Sequence, residues 1–126
     1  MVKYIYCITR REGMSREDFQ TYWREKHGEF IKGLARTLRA TKYVQSHTLD
    51  TPINQNIAEG RGLETPWYDG VTEIWWESMD DFIASVSTPE GAEAAKRYIA
   101  DEANFVDFSK SRAFLTEEYT VFDFAG

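Results

Sequence analysis

Two short segments, Tyr4 to Ile8 and Gly70 to Glu77, constrain the fold most, because each is apolar on both of the faces that strand alternation creates. The first sets Tyr4, Tyr6 and Ile8 against Lys3, Ile5 and Cys7. The second sets Thr72, Ile74 and Trp76 against Val71, Glu73 and Trp75. A sheet containing both needs cover on both sides, whereas the helical segments of this chain suffice for one. The uncovered side predicts a homodimer in which two sheets face each other in a closed or nearly closed barrel.

The remaining segments fill in the order. The first strand stops at Arg10-Arg11-Glu12-Gly13. Ser15 then offers a helix N-cap with Asp18 three residues on, and Phe19, Tyr22, Trp23, His27, Phe30, Ile31 and Leu34 recur at three-and-four spacing. Gly28 and Gly33 weaken the last third, so this helix ends or bends between His27 and Arg36. Ala40 to Thr48 suits a second strand, and Gly70 to Glu77 is the third. Ser78 caps a helix with Asp81 at the box position, and Thr88-Pro89 opens another running to Ala103. Phe105 to Arg112 reads as irregular, and Tyr119 to Phe124 alternates as the last strand. The order strand, helix, strand, strand, helix, strand predicts one α+β domain over residues 1–126. It is a ferredoxin-like, antiparallel four-stranded sheet with helices on one face.

Residues 49–69 stand apart: they have no period and are rich in Pro, Asn, Gly and Thr. A loop of about twenty residues is uncommon in a small domain unless it covers something. Ile53, Ile57, Leu63 and Trp67 are too few for a core but enough to lie over another surface. The segment is therefore expected to fold across a pocket mouth or the dimer seam, with Trp67 as anchor.

Charge and cysteine content narrow the partners. Fifteen Lys and Arg against 21 Asp and Glu give a net charge of −6, the opposite of a nucleic-acid footprint. No apolar run approaches bilayer length, and the opening residues lead straight into a strand rather than a signal peptide, so a soluble cytoplasmic protein is expected. The single Cys7 excludes an internal disulfide, and no His-x-x-x-His or His-x-His spacing suggests a metal, so none is expected.

Few polar residues fall where chemistry is expected. His27 lies on the apolar stripe of the first helix. It is either a core histidine satisfied by a carbonyl and a water, or an acid/base group facing a pocket. His47, near the end of the second strand, has a weaker functional case, since strand-end histidines are commonly exposed. Glu73 shares a face with Lys3 on the neighbouring strand, so a cross-strand ion pair competes with a role as desolvated base. Tyr68 and Asp69 close the long loop, where they line a pocket mouth or form the turn into Gly70. Tyr4, Tyr6, Trp23, Tyr43, Ile74 and Trp76 fall where helix and sheet meet. Aromatic groups there are plain core, or, with a histidine among them, the walls of a ligand cavity.

The run Arg10 to Phe19, followed by Tyr22-Trp23, His27-Gly28, Tyr43 to His47, Tyr68 to Val71 and Glu73-Ile74-Trp75, resembles the EthD domain family. Asp101-Glu102-Ala103 and Phe105 to Phe108 extend the resemblance along nearly the whole chain, and Tyr-Trp-x-x-x-His is its most specific element. Gly28 is followed by Glu29 where many members carry Pro, which lets the helix run on past the histidine. The segment Thr51 to Thr65 is longer than a minimal member needs.

The resemblance implies a ferredoxin-like subunit in a dimeric α+β barrel and a pocket between sheet and helices for small, hydrophobic, often oxygenated molecules. By position, His27, His47, Tyr68, Asp69 and Glu73 match its polar pattern. The expected function is a cofactor-free acid/base lyase, isomerase or cyclase acting on an aromatic or polyketide-like metabolite. His27 would be the proton-transfer group, with Tyr6 or His47 holding an oxyanion. The alternatives are a non-catalytic binding protein serving a partner oxygenase, and a cofactor-free monooxygenase. Fold analogy does not choose among them.

Overall fold

The computed structural model describes residues 1–125. Strand β1 (Val2–Ile8) leads into α1 (Arg16–Thr21), a π-helical turn (Tyr22–His27) and α2 (Gly28–Leu34), which form one continuous helical run. β2 (Lys42–His47), α3 (Ile53–Glu59), β3 (Gly70–Trp76), α4 (Met79–Ser87), α5 (Pro89–Glu102), a short 3-10 turn (Phe108–Lys110) and β4 (Arg112–Glu117) complete the chain. The sheet is antiparallel in the order β2-β3-β1-β4, with helices on one face. This is the ferredoxin-like architecture expected from the element order.

Helix starts follow the sequence closely. The Ser15 hydroxyl accepts from the Asp18 N–H, Ser78 from Asp81 and Thr88 from Gly91, with Pro89 at the first position of α5. Neither Gly28 nor Gly33 interrupts the first run, which ends at Leu34, inside the expected interval. Its irregularity comes earlier: the Gly28 N–H reaches back to the carbonyl of Trp23, a bond one residue wider than an α-helix makes. Both Trp23 and His27 are buried on this turn.

The faces of the central strands divide as their alternation requires. Tyr6, Ile8, Thr72, Ile74 and Trp76 are buried under the helices. One apolar cluster joins Tyr6, Ile8, Phe19, Trp23, Phe105 and Val106; a second joins Ile31, Leu34, Ile74, Trp76, Ala94 and Tyr98. Lys3, Ile5, Cys7, Val71, Glu73 and Trp75 share the outer face, which no helix covers.

Two expectations are corrected. The last strand is Arg112–Glu117, not Tyr119 to Phe124. Arg112 pairs with Cys7 and Glu117 with Val2, so the ladder consumes β1 to its first residue, and the alternating residues beyond have no strand to pair with. Within residues 49–69, Ile53–Glu59 is helical; Pro52 opens this turn without a side-chain cap. Only its Ala58 is buried, while Ile53, Ile57 and Leu63 are exposed and Trp67 is half-buried.

Candidate functional site

Between the sheet and α2, α4 and α5 lies an open-mouthed cavity of about 430 Å³. Tyr4, Tyr43, Ile74 and Trp76 form its sheet wall, Ile31, Ala35 and Leu38 come from the first helical run and the turn after it, and Phe82, Val86, Ala95, Tyr98 and Ile99 from α4 and α5. The lining is apolar apart from three phenols, Thr41, Lys42 and one carboxyl, that of Glu102. Its volume and mostly apolar lining fall in the range of cavities that hold small molecules in other proteins.

Glu102 is the residue that sequence reasoning did not single out. It ends the buried stripe Gly91, Ala94, Tyr98, Glu102 of α5, whose three-and-four spacing was the available signal. The residue is 5% exposed, and its carboxyl makes no hydrogen bond among the described residues. Burial, reinforced by the charge of adjacent Asp101, pushes its pKa up to about 8. The carboxyl is thus largely protonated at neutral pH, able to donate a proton to a cavity ligand and, once ionised, to accept one. The phenols of Tyr4 and Tyr98 are raised by burial, with Glu102 adding to the effect, and remain neutral donors.

His27 takes a different position from the one expected. It is 1% exposed but does not border the cavity. Its Nδ1 lies 2.6 Å from Asp101 Oδ2, and its ring meets Tyr98 edge-on at 5.0 Å and Phe105 at 4.8 Å. The other Asp101 oxygen accepts from the Tyr22 hydroxyl at 2.6 Å and from Asn104. Burial lowers the His27 pKa against the opposing pull of Asp101. Burial also raises that of Asp101, but hydrogen bonds from Tyr22 and His27 outweigh it and keep the carboxyl low. The pair is therefore neutral imidazole and carboxylate, with Nδ1–H donating. The network ties the π-helical turn to the end of α5, one residue before Glu102.

The other candidates divide. Tyr4, Tyr43, Ile74 and Trp76 are brought to the cavity. Tyr6 and Trp23 lie in the neighbouring apolar cluster, where the Trp23 indole N–H has no acceptor among the described residues. His47 stacks on Trp23 at 4.4 Å, and its Nε2 lies 2.9 Å from Gln45 Oε1. The Gln45 amide in turn donates to the Tyr43 hydroxyl at 3.0 Å, so His47 reaches the cavity wall only through one intermediary, Gln45. Glu73 stands on the outer face in an ion pair with Lys3 at 2.9 Å, the structural alternative weighed from the sequence. Asp69 accepts from the Arg10 backbone at 2.7 Å and its guanidinium at 3.0 Å, fastening the turn into β3. The Tyr68 carbonyl accepts from Thr48. None of His47, Tyr68, Asp69 or Glu73 borders the cavity, and neither does any residue of 49–69, so within one subunit that segment is not a lid. Among the described residues no group of three or more His, Cys, Asp and Glu side chains could hold a metal ion, and no helix is long and apolar enough to cross a membrane.

Fold and cavity together define a ferredoxin-like α+β domain built around an apolar, phenol-bearing pocket. The chain belongs to the EthD domain family, whose pattern it matches over residues 11–109. An EthD family protein from Bacillus halodurans has the same fold, with a TM-score of 0.62 at 16% identity over 94% of this chain and 99% of that one. A dimeric ferredoxin-like protein of unknown function from Bacteroides fragilis gives 0.56 at 14% identity over 93% and 95%. A mutant form of SnoaB, a cofactor-independent oxygenase from Streptomyces nogalater, gives 0.52 at 15% identity over 97% of both chains. No curated protein matches this chain in sequence.

Proposed function

We propose that this chain is a small-molecule enzyme that moves a proton on a neutral, hydrophobic, oxygen-bearing substrate, in a lyase, isomerase or cyclase reaction, and that it acts as a homodimer. The observation that carries this reading is Glu102: a buried carboxyl without a hydrogen-bond partner among the described residues, facing a largely apolar cavity whose other polar groups are three phenols, Thr41 and Lys42. A carboxyl poised near working pH serves in both directions. As carboxylate it takes the proton from the carbon beside a ketone, leaving an enolate whose oxygen the Tyr4, Tyr43 or Tyr98 hydroxyls can hold. The proton returns from the same carboxyl, either to another carbon, giving an isomer, or to a leaving hydroxyl, which departs as water. The carboxyl ends each cycle in the state in which it began it. His27 and Asp101 act as positioning residues that fix the end of α5. The outer face, with Ile5, Cys7, Val71, Trp75 and Phe114 uncovered by any helix, supports the second copy.

The test uses tetralone, a neutral bicyclic ketone, in deuterium oxide. Wild-type protein should exchange its acidic C–H protons, and Glu102→Gln should lose about a hundredfold or more of that rate while still binding. Binding without exchange by the wild type would favour a carrier, and oxygen-dependent turnover would favour an oxygenase.

A further inference from the structure

Strand β2 turns Tyr43, Gln45 and His47 to one face, the side covered by the first helical run. Polar side chains in a row on such a face are costly unless they are paired, and here the pairing fixes where each proton goes. The Gln45 amide nitrogen lies 2.8 Å from the Trp23 carbonyl, which can only accept, so the N–H end of the amide is settled. The amide oxygen then faces His47, whose Nε2 at 2.9 Å carries the hydrogen and donates. The same amide nitrogen gives its second N–H to the Tyr43 oxygen at 3.0 Å. The Tyr43 hydroxyl is therefore an acceptor within the wall, and its own proton has no acceptor among the described residues. The space open to that proton is the cavity, which Tyr43 lines.

The π-helical turn anchors this chain of bonds. Its Trp23 carbonyl accepts from the Gly28 N–H and takes Gln45 as a second donor. The Trp23 indole N–H, buried and without a full hydrogen bond of its own, and the Thr72 hydroxyl add to Gln45 in favouring negative charge on the Tyr43 oxygen, against the effect of burial. The three cavity phenols are thus unequal. Tyr4 and Tyr98 meet only burial and nearby negative charge, both of which oppose ionisation, and neither hydroxyl is hydrogen-bonded among the described residues. A hydroxyl that accepts from donors makes a stronger donor of its own proton.

We propose that Tyr43 is the residue that holds the carbonyl oxygen of a ketone substrate, with Gln45 and His47 as positioning residues that turn its hydroxyl into the cavity. This rests on the proton-transfer reading above and adds to it which phenol receives the oxygen. The ketone then lies with its oxygen toward β2 and its acidic C–H toward Glu102 of α5.

Isotope-edited infrared spectra of bound tetralone, labelled at its carbonyl carbon, read the hydrogen bond at that oxygen. The carbonyl stretch should rise from its wild-type frequency in Tyr43→Phe and rise less in Tyr4→Phe and Tyr98→Phe. Gln45→Leu, which keeps the phenol and removes its donor, should give an intermediate frequency. Replacing Tyr43 with a fluorotyrosine, a more acidic phenol of nearly the same size, should lower the stretch below wild type, a shift that a merely structural role would not produce. Proton exchange of tetralone in deuterium oxide should fall about a hundredfold in Tyr43→Phe. A carbonyl band that Tyr43→Phe leaves in place, or that Tyr4→Phe or Tyr98→Phe moves as far, overturns the assignment. If Glu102→Gln still abolishes exchange in that case, the proton-transfer reading stands without it. A wild type that shows the Tyr43-dependent band and no exchange overturns that reading and keeps Tyr43 as the oxygen-binding group of a carrier.

Discussion

Asp101 and Glu102 are adjacent in the chain and carry the same functional group, yet the first is held ionised by Tyr22 and His27 while the second is buried against the cavity and pushed up to about 8. One helical step of about 100° turns one carboxyl to donors and the other to apolar walls. Donors stabilise a charge that an apolar wall penalises.

That contrast makes stability depend on pH through Glu102. Its folded pKa lies above its ordinary value of 4.5, so its contribution is complete below about pH 4.5 and is lost as pH rises through about 8. The loss amounts to about 5 kcal/mol at most, at 1.4 kcal/mol per pKa unit. Urea unfolding at pH 5, 7 and 9 should show a decline in the wild type that Glu102→Gln lacks, the variant being the more stable at pH 9. Parallel declines would remove Glu102 as the titrating group.

Asp101→Asn deletes the charge that His27 and Tyr22 address and that helps hold Glu102 protonated. The expected cost is about 1–3 kcal/mol. A carbon-detected NMR titration should also show the Glu102 pKa falling toward its ordinary value. An unchanged Glu102 titration would uncouple the two carboxyls.

Gly70 meets the ring of Trp23 directly. A Cβ there would sit 2.4 Å and 2.6 Å from two ring carbons and 3.0 Å from the Ser46 carbonyl. The ring is held by His47 stacked at 4.4 Å and Phe19 at 5.4 Å, so it has little room to yield. Gly70→Ala should destabilise by about 1–3 kcal/mol or more and shift the tryptophan emission. Wild-type melting and emission would refute this close approach.

Removing residues 54–62 deletes most of α3 and none of the cavity lining. Calorimetric affinity for tetralone should be unchanged, with a small drop in melting temperature from the loss of buried Ala58. An affinity loss of about tenfold would mean that the segment reaches the cavity after all, from a partner subunit.

Much of the scaffold is written locally. Caps at Ser15, Ser78 and Thr88, the three-and-four stripe from Phe19 to Leu34 and the alternation of β1 and β3 each depend on residues a few positions apart, so the sequence determined these elements, their order and the helix-facing sides of the strands. The pairing of Lys3 with Glu73 followed from parity and topology alone.

Three features were decided only by tertiary structure, because each depends on distant segments converging. Alternation at Tyr119 to Phe124 is strand-like, but strand formation needs a partner, and residues 112–117 had already used β1 down to its first residue, Val2. His27 lay on the correct stripe, yet whether it met a cavity or a carboxylate depended on where the end of α5 arrived. Glu102, a charged residue at a helix end, became the cavity's carboxyl because the same arrival buried it in a lining that includes Tyr4, Tyr43 and Tyr98. Residue type and spacing set which side chains turn inward; the packing of α5 across the sheet sets the dielectric they meet, and with it their protonation and chemistry.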